Sequence, residues 1–523
     1  MTAEAQGLTL GALLVRLEEA HVAVYSFSGD RETRVIGVTH DSRLVQPGWV
    51  YVARKGGARD GHEFVAAALA RGAVALVVED MIEGLSECGS VPVIRVNNTR
   101  KALGSLAHAV AGDPSRTLPV FGITGTNGKT TTSFFVAQLL ALTSGKDDCA
   151  VLGTLGTFLG SMYIPATHTT PEADALAGQL AELRHEGASA VAMEVSSIAL
   201  CEGRLEGVHF DAVAFTNLSQ DHLDYHGTMQ AYGEAKARLF TECPWRHAVI
   251  CIDGSAGEDL SLDVANEIQN QSTHDASAWR HRTLRRVSTV RGARADLVMH
   301  AVQSNLSGML VQCEYADESL QFETPLVGAY NLENLAVASG IALGQGRDIH
   351  ALAEAASKLN GVRGRMERVT PLEHPFVVVV DYSHTPDALE RALLALRPST
   401  RGKLRVVFGC GGDRDRGKRP LMGDIGSRLA DVVYLADDNP RSEQASDILD
   451  AIEHGIDSQN RSKVQRIGDR AEAIACAVAD CDPGDVLLIA GKGHETTQTI
   501  GAQVSTFDDR EVARLALSVR PVG

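Results

Sequence analysis

Gly125-Thr126-Asn127-Gly128-Lys129-Thr130-Thr131 stands between the apolar residues 118–123 and the helix-like residues 132–140. A glycine-rich turn between a strand and a helix points several backbone N–H groups, and the positive end of the helix dipole, at phosphate oxygens. In such a loop the lysine reaches the terminal phosphates and the threonine after it binds Mg²⁺. The stretch therefore predicts ATP binding in a domain built on a P-loop-type parallel sheet.

The loop departs from the strict nucleotide-binding pattern at one position. That pattern requires glycine at position 123, where this chain has Ile123, and the nearest glycine is Gly122. A strand-to-helix turn with a capping threonine is the simpler alternative. The strand, the loop, the Lys-Thr pair and the helix nevertheless occur in the expected order, which favours phosphate binding.

Composition narrows the class of protein. The chain has 523 residues, 44% of them hydrophobic, which is enough for about three domains. Asp and Glu (66) outnumber Lys and Arg (49), and the net charge of −17 argues against a nucleic-acid partner. The nine cysteines include no C-x-x-C pair, which argues against a zinc knuckle or a disulfide framework. Without a signal-peptide pattern or an apolar stretch of ~18 residues, we expect a cytoplasmic protein with no membrane insertion.

Short apolar runs alternate with helix-length segments, which predicts an α/β fold with three domains. We expect an α/β domain at residues 1–115, the central parallel sheet at 116–362 and a Rossmann-like domain at 363–523. The polar residues 269–285 are expected to form a surface excursion. Strands are predicted at residues 49–53, 73–78, 191–195, 212–215, 248–252, 376–380, 404–408, 432–435 and 486–490.

Two segments beyond the loop carry candidate metal ligands. Glu194 ends a buried-looking strand, and His222 and Asp224 lie in the polar residues 217–226. Mg²⁺ prefers oxygen ligands and keeps several waters, so Glu194 and Thr130 form a natural pair. A histidine ligand needs a special reason, and a structural role for His222 stays open.

A lysine is expected in the interior near this site. Tyr232, Leu239 and Phe240 have helical spacing and predict a buried face that carries Lys236 inward. Burial lowers the pKa of a lysine, and a neutral amine can react with CO₂ to form a carbamate, an oxygen ligand suited to Mg²⁺. On the residues alone, a phosphate-binding or surface lysine is the default alternative.

The series of motifs resembles the Mur ligases of peptidoglycan synthesis. The resemblance begins with residues 125–131, 193–197, 217–226 and 235–240, in that order and spacing. It continues with residues 328–334, similar to an adenine-contacting segment, residues 361–367, the start of the last domain, and residues 381–387, near the nucleotide. The match covers nearly the whole chain.

This resemblance implies ATP-dependent amide formation with ATP and Mg²⁺, in a monomer whose domains bind a UDP-sugar, ATP and an amino acid in that order. The implied catalytic residues are Lys129, Glu194, His222 and Lys236. The implied metal ligands are Thr130, Glu194, His222 and Lys236, the last as N6-carboxylysine. The implied ATP-binding residues are Gly125, Thr126, Asn127, Gly128, Lys129, Thr130, Thr131, Asn331 and Asn334.

The first substrate implied by the resemblance is a UDP-muramoyl dipeptide. Hydroxyls and an arginine suit such an anionic, hydroxyl-rich molecule, although Ser42 and Thr169 would also serve as turn or capping residues. Two positions depart from the family pattern: Ile198 stands where histidine is common, and Glu202 where glutamine is common. The implied contacts are Ser42, Thr169, Thr170, Ser197, Glu202 and Arg204.

The second substrate is expected to be meso-diaminopimelate. The tetrad Asp438-Asn439-Pro440-Arg441 resembles the family's signature for it, and Arg441 with Arg414 can hold its distal carboxylate through forked hydrogen bonds. L-lysine lacks that carboxylate. Residues 491–495 resemble the loop at the distal ammonium, where Glu495 supplies the opposite charge. The implied contacts are Arg414, Asp438, Asn439, Pro440, Arg441, Gly491 and Glu495.

Three other functions are compatible with parts of the sequence. The same ligase could add L-lysine, which the tetrad disfavours. A folylpolyglutamate synthetase shares the loop type but fits the N-terminal and arginine-rich segments poorly. A non-catalytic nucleotide-binding regulatory module would explain Ile198 and Glu202, but not the joint presence of four residues, Lys129, Glu194, His222 and Lys236.

Overall fold

The computed structural model describes residues 7–56, 59–80, 91–271, 282–371 and 373–519. Within these ranges, three mainly parallel sheets follow one another along the chain, each covered by helices. This arrangement confirms the predicted α/β fold with a central parallel sheet and a Rossmann-like last domain. None of the described helices is long and apolar enough to cross a membrane.

The N-terminal sheet has the strand order β2-β7-β6-β5-β4, with β2 antiparallel to its neighbour. Its core lies between the sheet and helices α1 and α3. A separate ribbon pairs β1 with β3. The elements are β1 (Leu8–Thr9), α1 (Leu10–Glu19), β2 (Val24–Ser28), β3 (Arg34–Val35), β4 (Gly37–Thr39), β5 (Trp49–Val52), α2 (Val65–Ala70), β6 (Ala75–Val78), β7 (Val93–Val96) and α3 (Thr99–Val110).

The central sheet runs β11-β10-β9-β12-β8-β13-β14-β15-β16-β17-β18, parallel from β9 to β16 and antiparallel at both ends. Helices α4, α10 and α11 pack on one face and α5, α8 and α9 on the other. The elements are β8 (Val120–Thr124), α4 (Lys129–Ser144), β9 (Cys149–Gly153), β10 (Gly156–Leu159), β11 (Met162–Ile164), α5 (Ala173–His185), β12 (Ala190–Glu194), α6 (Ser197–Cys201), β13 (Phe210–Phe215), α7 (Leu223–His226), α8 (Met229–Thr241), β14 (Trp245–Cys251), α9 (Ser255–Gln271), β15 (Thr283–Ser288), β16 (Leu297–Asn305), β17 (Gly308–Tyr315), β18 (Glu318–Thr324), α10 (Ala329–Gly344) and α11 (Ile349–Ala356).

The C-terminal sheet has the order β19-β20-β24-β21-β22-β23, parallel except for β19. Apolar cores lie on both of its faces, as in a doubly wound sheet. The elements are β19 (Glu367–Arg368), β20 (Val377–Asp381), α12 (Pro386–Leu396), β21 (Leu404–Phe408), α13 (Lys418–Leu429), β22 (Val432–Ala436), α14 (Ala445–Glu453), β23 (Val464–Gly468), α15 (Arg470–Ala479), β24 (Val486–Ala490), β25 (Thr497–Ile500), β26 (Gln503–Thr506) and α16 (Asp509–Val519).

One part of the predicted topology is wrong. The expected surface excursion at residues 269–285 includes the start of β15, which lies inside the central sheet between β14 and β16. Arg285 and Arg286 made this strand look polar, but Arg285 reaches across to donate to Gly340 O of α10 at 2.7 Å. Residues 272–281 of that segment lie outside the described residues.

Candidate functional site

The predicted phosphate loop joins β8 to α4 as expected. Lys129 is the first residue of α4, and its Nζ donates to the carbonyl oxygens of Gly125 (2.8 Å) and Thr126 (2.9 Å). Burial lowers the pKa of Lys129, and the negative charge of Glu194 opposes that shift. The Thr126 N–H donates to Asn217 O at 2.9 Å, so the residues after β13 hold the loop in place.

Gly128 gives a prediction about the loop. Its φ is +87°, and a Cβ there would lie 2.1 Å from Asn334 Oδ1. We expect Gly128→Ala to lose about 5–150-fold in affinity for an ATP analogue, because strain of about 1–3 kcal/mol must be relieved by moving the loop or the Asn334 side chain. Isothermal titration calorimetry measures this change.

Gly145 at the other end of α4 is the matched control. Its φ is +74°, but its Cβ would meet nothing within 4 Å. Gly145→Ala therefore also places an alanine in a positive-φ backbone conformation, but its Cβ meets no clash. Equal nucleotide affinity in the two variants would contradict the prediction.

The metal candidates lie at the carboxyl edge of adjacent strands β8, β12 and β13. Glu194 is the last residue of β12, and its carboxylate accepts from Thr154 N (2.8 Å) and Thr154 Oγ1 (3.1 Å). A Cβ on Gly153 would lie 2.1 Å from Glu194 Oε1, so glycine makes room for the carboxylate. A cavity of about 150 Å³ brings the predicted groups together; among its lining residues are Lys129, Thr130, Thr169, Glu194, Ser197, His222 and Lys236.

Lys236 lies inside the protein, which confirms its predicted orientation and rules out the surface alternative. Its side chain is 1% exposed on α8, and its Nζ donates to Gly125 O at 2.8 Å. The ammonium also lies 4.2 Å from the centre of the Tyr232 ring. Burial, reinforced by the nearby charge of Lys129, lowers the pKa of Lys236 well below its ordinary value. The amine is therefore easier to deprotonate than an exposed lysine.

His222 faces an acidic neighbour. Its Nε2 lies 3.5 Å from Asp221 Oδ2, and His384 Nε2 lies 3.8 Å from the same oxygen. Burial lowers the pKa of His222. Burial by itself would raise the pKa of Asp221, but the charges of His384, His222 and Lys418 outweigh it and bring that pKa to about 2. No group of three or more His, Cys, Asp or Glu side chains among the described residues is arranged to hold a metal. The oxygens of Thr130 and Glu194 fit Mg²⁺, which needs few protein ligands when water and phosphate complete its shell.

Two residues of the last domain contact the phosphate loop. Arg365 Nη2 donates to Thr130 Oγ1 at 3.1 Å, and its guanidinium lies 4.4 Å from the centre of the Tyr382 ring. Asn127 Nδ2 donates to Asp387 Oδ2 at 3.1 Å. Residues 381–387 were expected near the nucleotide, whereas residues 361–367 were expected only to begin the last domain, so the position of Arg365 at the loop was not predicted.

The predicted adenine segment adjoins the loop. Asn334 lines a second cavity together with Gly128, Thr131 and Tyr330. Its Nδ2 lies 3.4 Å from the Oδ1 of Asn331, which is itself buried and bonds to Val327 O. Asn334 therefore borders this cavity, whereas Asn331 lines a neighbouring one.

Several candidate substrate contacts surround Glu194. Thr170 Oγ1 donates to Glu194 O at 2.9 Å, and the Oγ1 atoms of Thr169 and Thr154 lie 3.2 Å apart. Ser197 Oγ lies 2.9 Å from His226 Nε2, a partner that sequence reasoning missed because His226 is on a separate helix.

Ser42 lies half-buried in the N-terminal domain, in the turn between β4 and β5.

Glu202 is engaged by Arg204. Arg204 Nη2 lies 2.9 Å from Glu202 and 3.1 Å from Glu172, and its Nη1 donates to Thr170 O at 3.1 Å. Glu172 also accepts from Arg54 of the N-terminal domain at 2.6 Å. The carboxylate that departs from the family pattern is thus part of an ion-pair chain between two domains.

The diaminopimelate candidates meet at the carboxyl edge of β21, β22 and β24. Asn439 Nδ2 donates to Asp438 Oδ1 (3.0 Å) and Glu495 Oε2 (2.9 Å). Gly491 has φ +116°, and a Cβ there would lie 2.6 Å from Asp438 Oδ2. The structure therefore joins the tetrad to the loop that carries Glu495.

Two arginines border this cluster. Arg441 Nη1 donates to Gly412 O at 2.7 Å, whereas Arg414 is exposed. A Cβ on Gly411 would lie 2.8 Å from Arg441 Nη1 and 3.8 Å from Arg414 Cγ, so both side chains flank one glycine. The buried Pro440 places its carbonyl against Gly412.

Three family patterns match the chain. The Mur ligase middle domain matches residues 123–342, the glutamate ligase domain of Mur ligases residues 364–493, and the catalytic domain of the Mur ligase family residues 34–110. Together these patterns span most of the chain.

Relatives match the chain over nearly its full length. The UDP-N-acetylmuramoyl-L-alanyl-D-glutamate–2,6-diaminopimelate ligase of Geobacillus thermodenitrificans is 40% identical over 93% of this chain and 95% of its own. The protein of that name from Pseudomonas aeruginosa is 41% identical over 94% and 96%. A solved structure with the same name is 33% identical, with a TM-score of 0.68 over 98% of this chain and 99% of its own. The chain belongs to the Mur ligase family.

Proposed function

We propose that this protein is an ATP-dependent ligase that adds meso-2,6-diaminopimelate to UDP-N-acetylmuramoyl-L-alanyl-D-glutamate during peptidoglycan precursor synthesis. The observation that carries the proposal is the cluster of Asp438, Asn439 and Glu495 beside two arginines, in a domain that also reaches the phosphate loop through Arg365. The names of the relatives support the same substrates.

The reaction requires two bond exchanges. A carboxylate oxygen of the dipeptide attacks the γ-phosphorus of ATP, the bond to the leaving ADP breaks, and an acyl phosphate forms. The amine of diaminopimelate, after losing a proton to a base, then attacks the acyl carbon and phosphate leaves. Lys129 and the loop N–H groups stabilise the charge on the transferring phosphoryl group. Arg365, bonded to Thr130 at 3.1 Å, is placed to add positive charge from the last domain.

Mg²⁺ and a modified lysine complete the proposed site. Thr130 and Glu194 would hold one ion, and His222 with a carbamate on Lys236 would hold a second. The ions neutralise phosphate charge when bound. The unmodified Lys236 ammonium is a donor without lone pairs, so it fits this ligand set only after losing a proton and gaining CO₂. Its burial and its lowered pKa support that modification.

Other features of the proposal concern the whole protein. We propose the domain bounds 1–115, 116–362 and 363–523 for the UDP-sugar, ATP and amino-acid domains, with a hinge near residues 360–367. We also propose a monomeric, cytoplasmic enzyme that does not bind nucleic acid. Light scattering in solution tests the monomer.

The function predicts which amino acid triggers phosphate release. With ATP and the UDP-dipeptide, we expect release with meso-diaminopimelate and at least about 100-fold less with L-lysine or no amino acid, because forked bonds to the distal carboxylate are lost. Arg441→Ala should lower kcat/KM for diaminopimelate by about 10–100-fold for the same reason. Coupled phosphate assays measure both quantities.

Arg461 provides the control for Arg441. It is exposed in the same domain, so Arg461→Ala should leave the kinetics unchanged. A preference for L-lysine would support the ligase activity but contradict the assignment of the tetrad at residues 438–441 to diaminopimelate binding. No release with either amino acid would instead favour a nucleotide-binding regulatory module.

A further inference from the structure

We propose that Lys492 is a positioning residue that sets the selectivity for diaminopimelate over L-lysine by holding Asn439 and Glu495 in place. Lys492 follows Gly491 in the loop after β24, and its side chain is 0% exposed. The inference rests on the proposed function, because it concerns the amino-acid site of that reaction.

The contacts of Lys492 define its role. Its Nζ donates to Asn439 Oδ1 and to Glu495 Oε2, both at 3.2 Å. Asn439 Oδ1 also accepts from Thr499 N at 3.0 Å, while its amide nitrogen donates to Asp438 and Glu495. Donors face the Asn439 side-chain oxygen and carboxylates face its nitrogen, so the amide can adopt only one orientation. Lys492 thus orients two side chains that are placed to face the substrate.

The charge of Lys492 matters because one surrounding acid is buried and the other is only partly exposed. Asp438 is 8% exposed, and the Glu495 side chain is 30% exposed. Arg470 lies near both carboxylates, but its guanidinium is bonded to Asp509 at 2.7 Å through Nε and Nη2. Removing the Lys492 charge therefore leaves Asp438 and Glu495 less compensated.

This electrostatic difference separates the two amino acids. The distal end of diaminopimelate carries an ammonium and a carboxylate, so its net charge is zero. The distal end of L-lysine carries only the ammonium. A site made more negative binds the lysine end better and the distal carboxylate worse. Lys492 accordingly favours the zwitterionic end.

The test compares Lys492→Met, which removes the charge and the donor, with Lys492→Gln, which keeps a donor without the charge. We expect Lys492→Met to raise KM for diaminopimelate about tenfold or more and to lower the diaminopimelate-to-lysine ratio of kcat/KM similarly. KM for ATP and for the UDP-dipeptide should stay within about twofold. Lys492→Gln should raise KM for diaminopimelate less than Lys492→Met does, because it keeps a donor. It should still lower the diaminopimelate-to-lysine ratio of kcat/KM, because the charge is gone.

Lys463→Met is the matched control, because Lys463 in the same domain also donates to two acceptors, Ser427 O (2.9 Å) and Ala430 O (3.4 Å). A double variant with Glu495→Gln tests the pathway: if Lys492 acts through Glu495, the two effects combine to less than their product.

Two results would overturn the inference while leaving the ligase intact. One is unchanged selectivity in both Lys492 variants. The other is a parallel rise in all three KM values, which would indicate a purely structural lysine. If the wild-type protein released no phosphate with diaminopimelate, the proposed function would fail and this inference with it.

Discussion

Lys129→Met is expected to lower kcat for ligation by about 10³-fold or more while the protein remains folded. In the structure the Lys129 ammonium is bonded to two loop carbonyls, Gly125 O and Thr126 O, at the start of α4. Bound phosphates would replace these neutral acceptors with charged oxygens, so the lysine contributes most when phosphoryl charge builds up in the transition state. Single-turnover phosphate release measures the loss.

A second lysine controls for the loss of charge alone. Lys358 is exposed and pairs with Glu354 at 2.7 Å, far from the loop in sequence. Lys358→Met should keep kcat within about twofold, since exposed ion pairs contribute little. A Lys129→Met enzyme that retained kcat within tenfold would contradict the proposed role of the loop.

Lys236→Met is expected to lower kcat by about 10²–10³-fold, because it removes the proposed charged ligand from the phosphoryl-transfer site. The wild-type enzyme should also lose activity in CO₂-depleted buffer and recover it with bicarbonate. The proposed carbamate would form when the neutral amine of Lys236 attacks CO₂ and gives up a proton. The lowered pKa of this buried side chain makes that neutral amine accessible.

Carbon-13 NMR of protein equilibrated with labelled CO₂ observes the carbamate directly. The Lys236→Met protein is the control for that signal, and its residual activity should not respond to bicarbonate. A wild-type enzyme without the carbamate signal, and with activity independent of CO₂, would show that Lys236 acts as an unmodified amine.

The parallel core of the fold was predictable because its signal is local. The strands β20, β22 and β24 are nearly continuous apolar runs, which is how strands covered on both faces appear in sequence. The strand β16 and the antiparallel strands β17 and β18 beyond it were not predicted, and β16 changes from buried to exposed along its length. The strand β15 was mistaken for a loop because its arginines lie at the sheet surface and pair with distant elements.

The site was predictable to a similar extent. The sequence located Lys129, Glu194, Lys236 and the tetrad at 438–441, which the structure places at the carboxyl edges of two sheets. It did not identify Arg365 or His226, whose partners lie 235 and 29 residues away. Such pairs have no signature in local spacing, because the separation of two groups in space is set by the packing of whole domains.

The sequence by itself determined the chemical groups: a glycine-rich loop with Lys129, a buried amine, a carboxylate at a strand end and the tetrad Asp438-Asn439-Pro440-Arg441. Tertiary structure alone decided how these groups are connected. Burial changes the proton affinity of Lys236. Glu172 links Arg54 to Arg204 across two domains, and Lys492 donates to both Asn439 and Glu495. The physical reason is that residue type fixes the donors, acceptors and charges available, whereas desolvation and distance, which set their strength, exist only once the chain is packed.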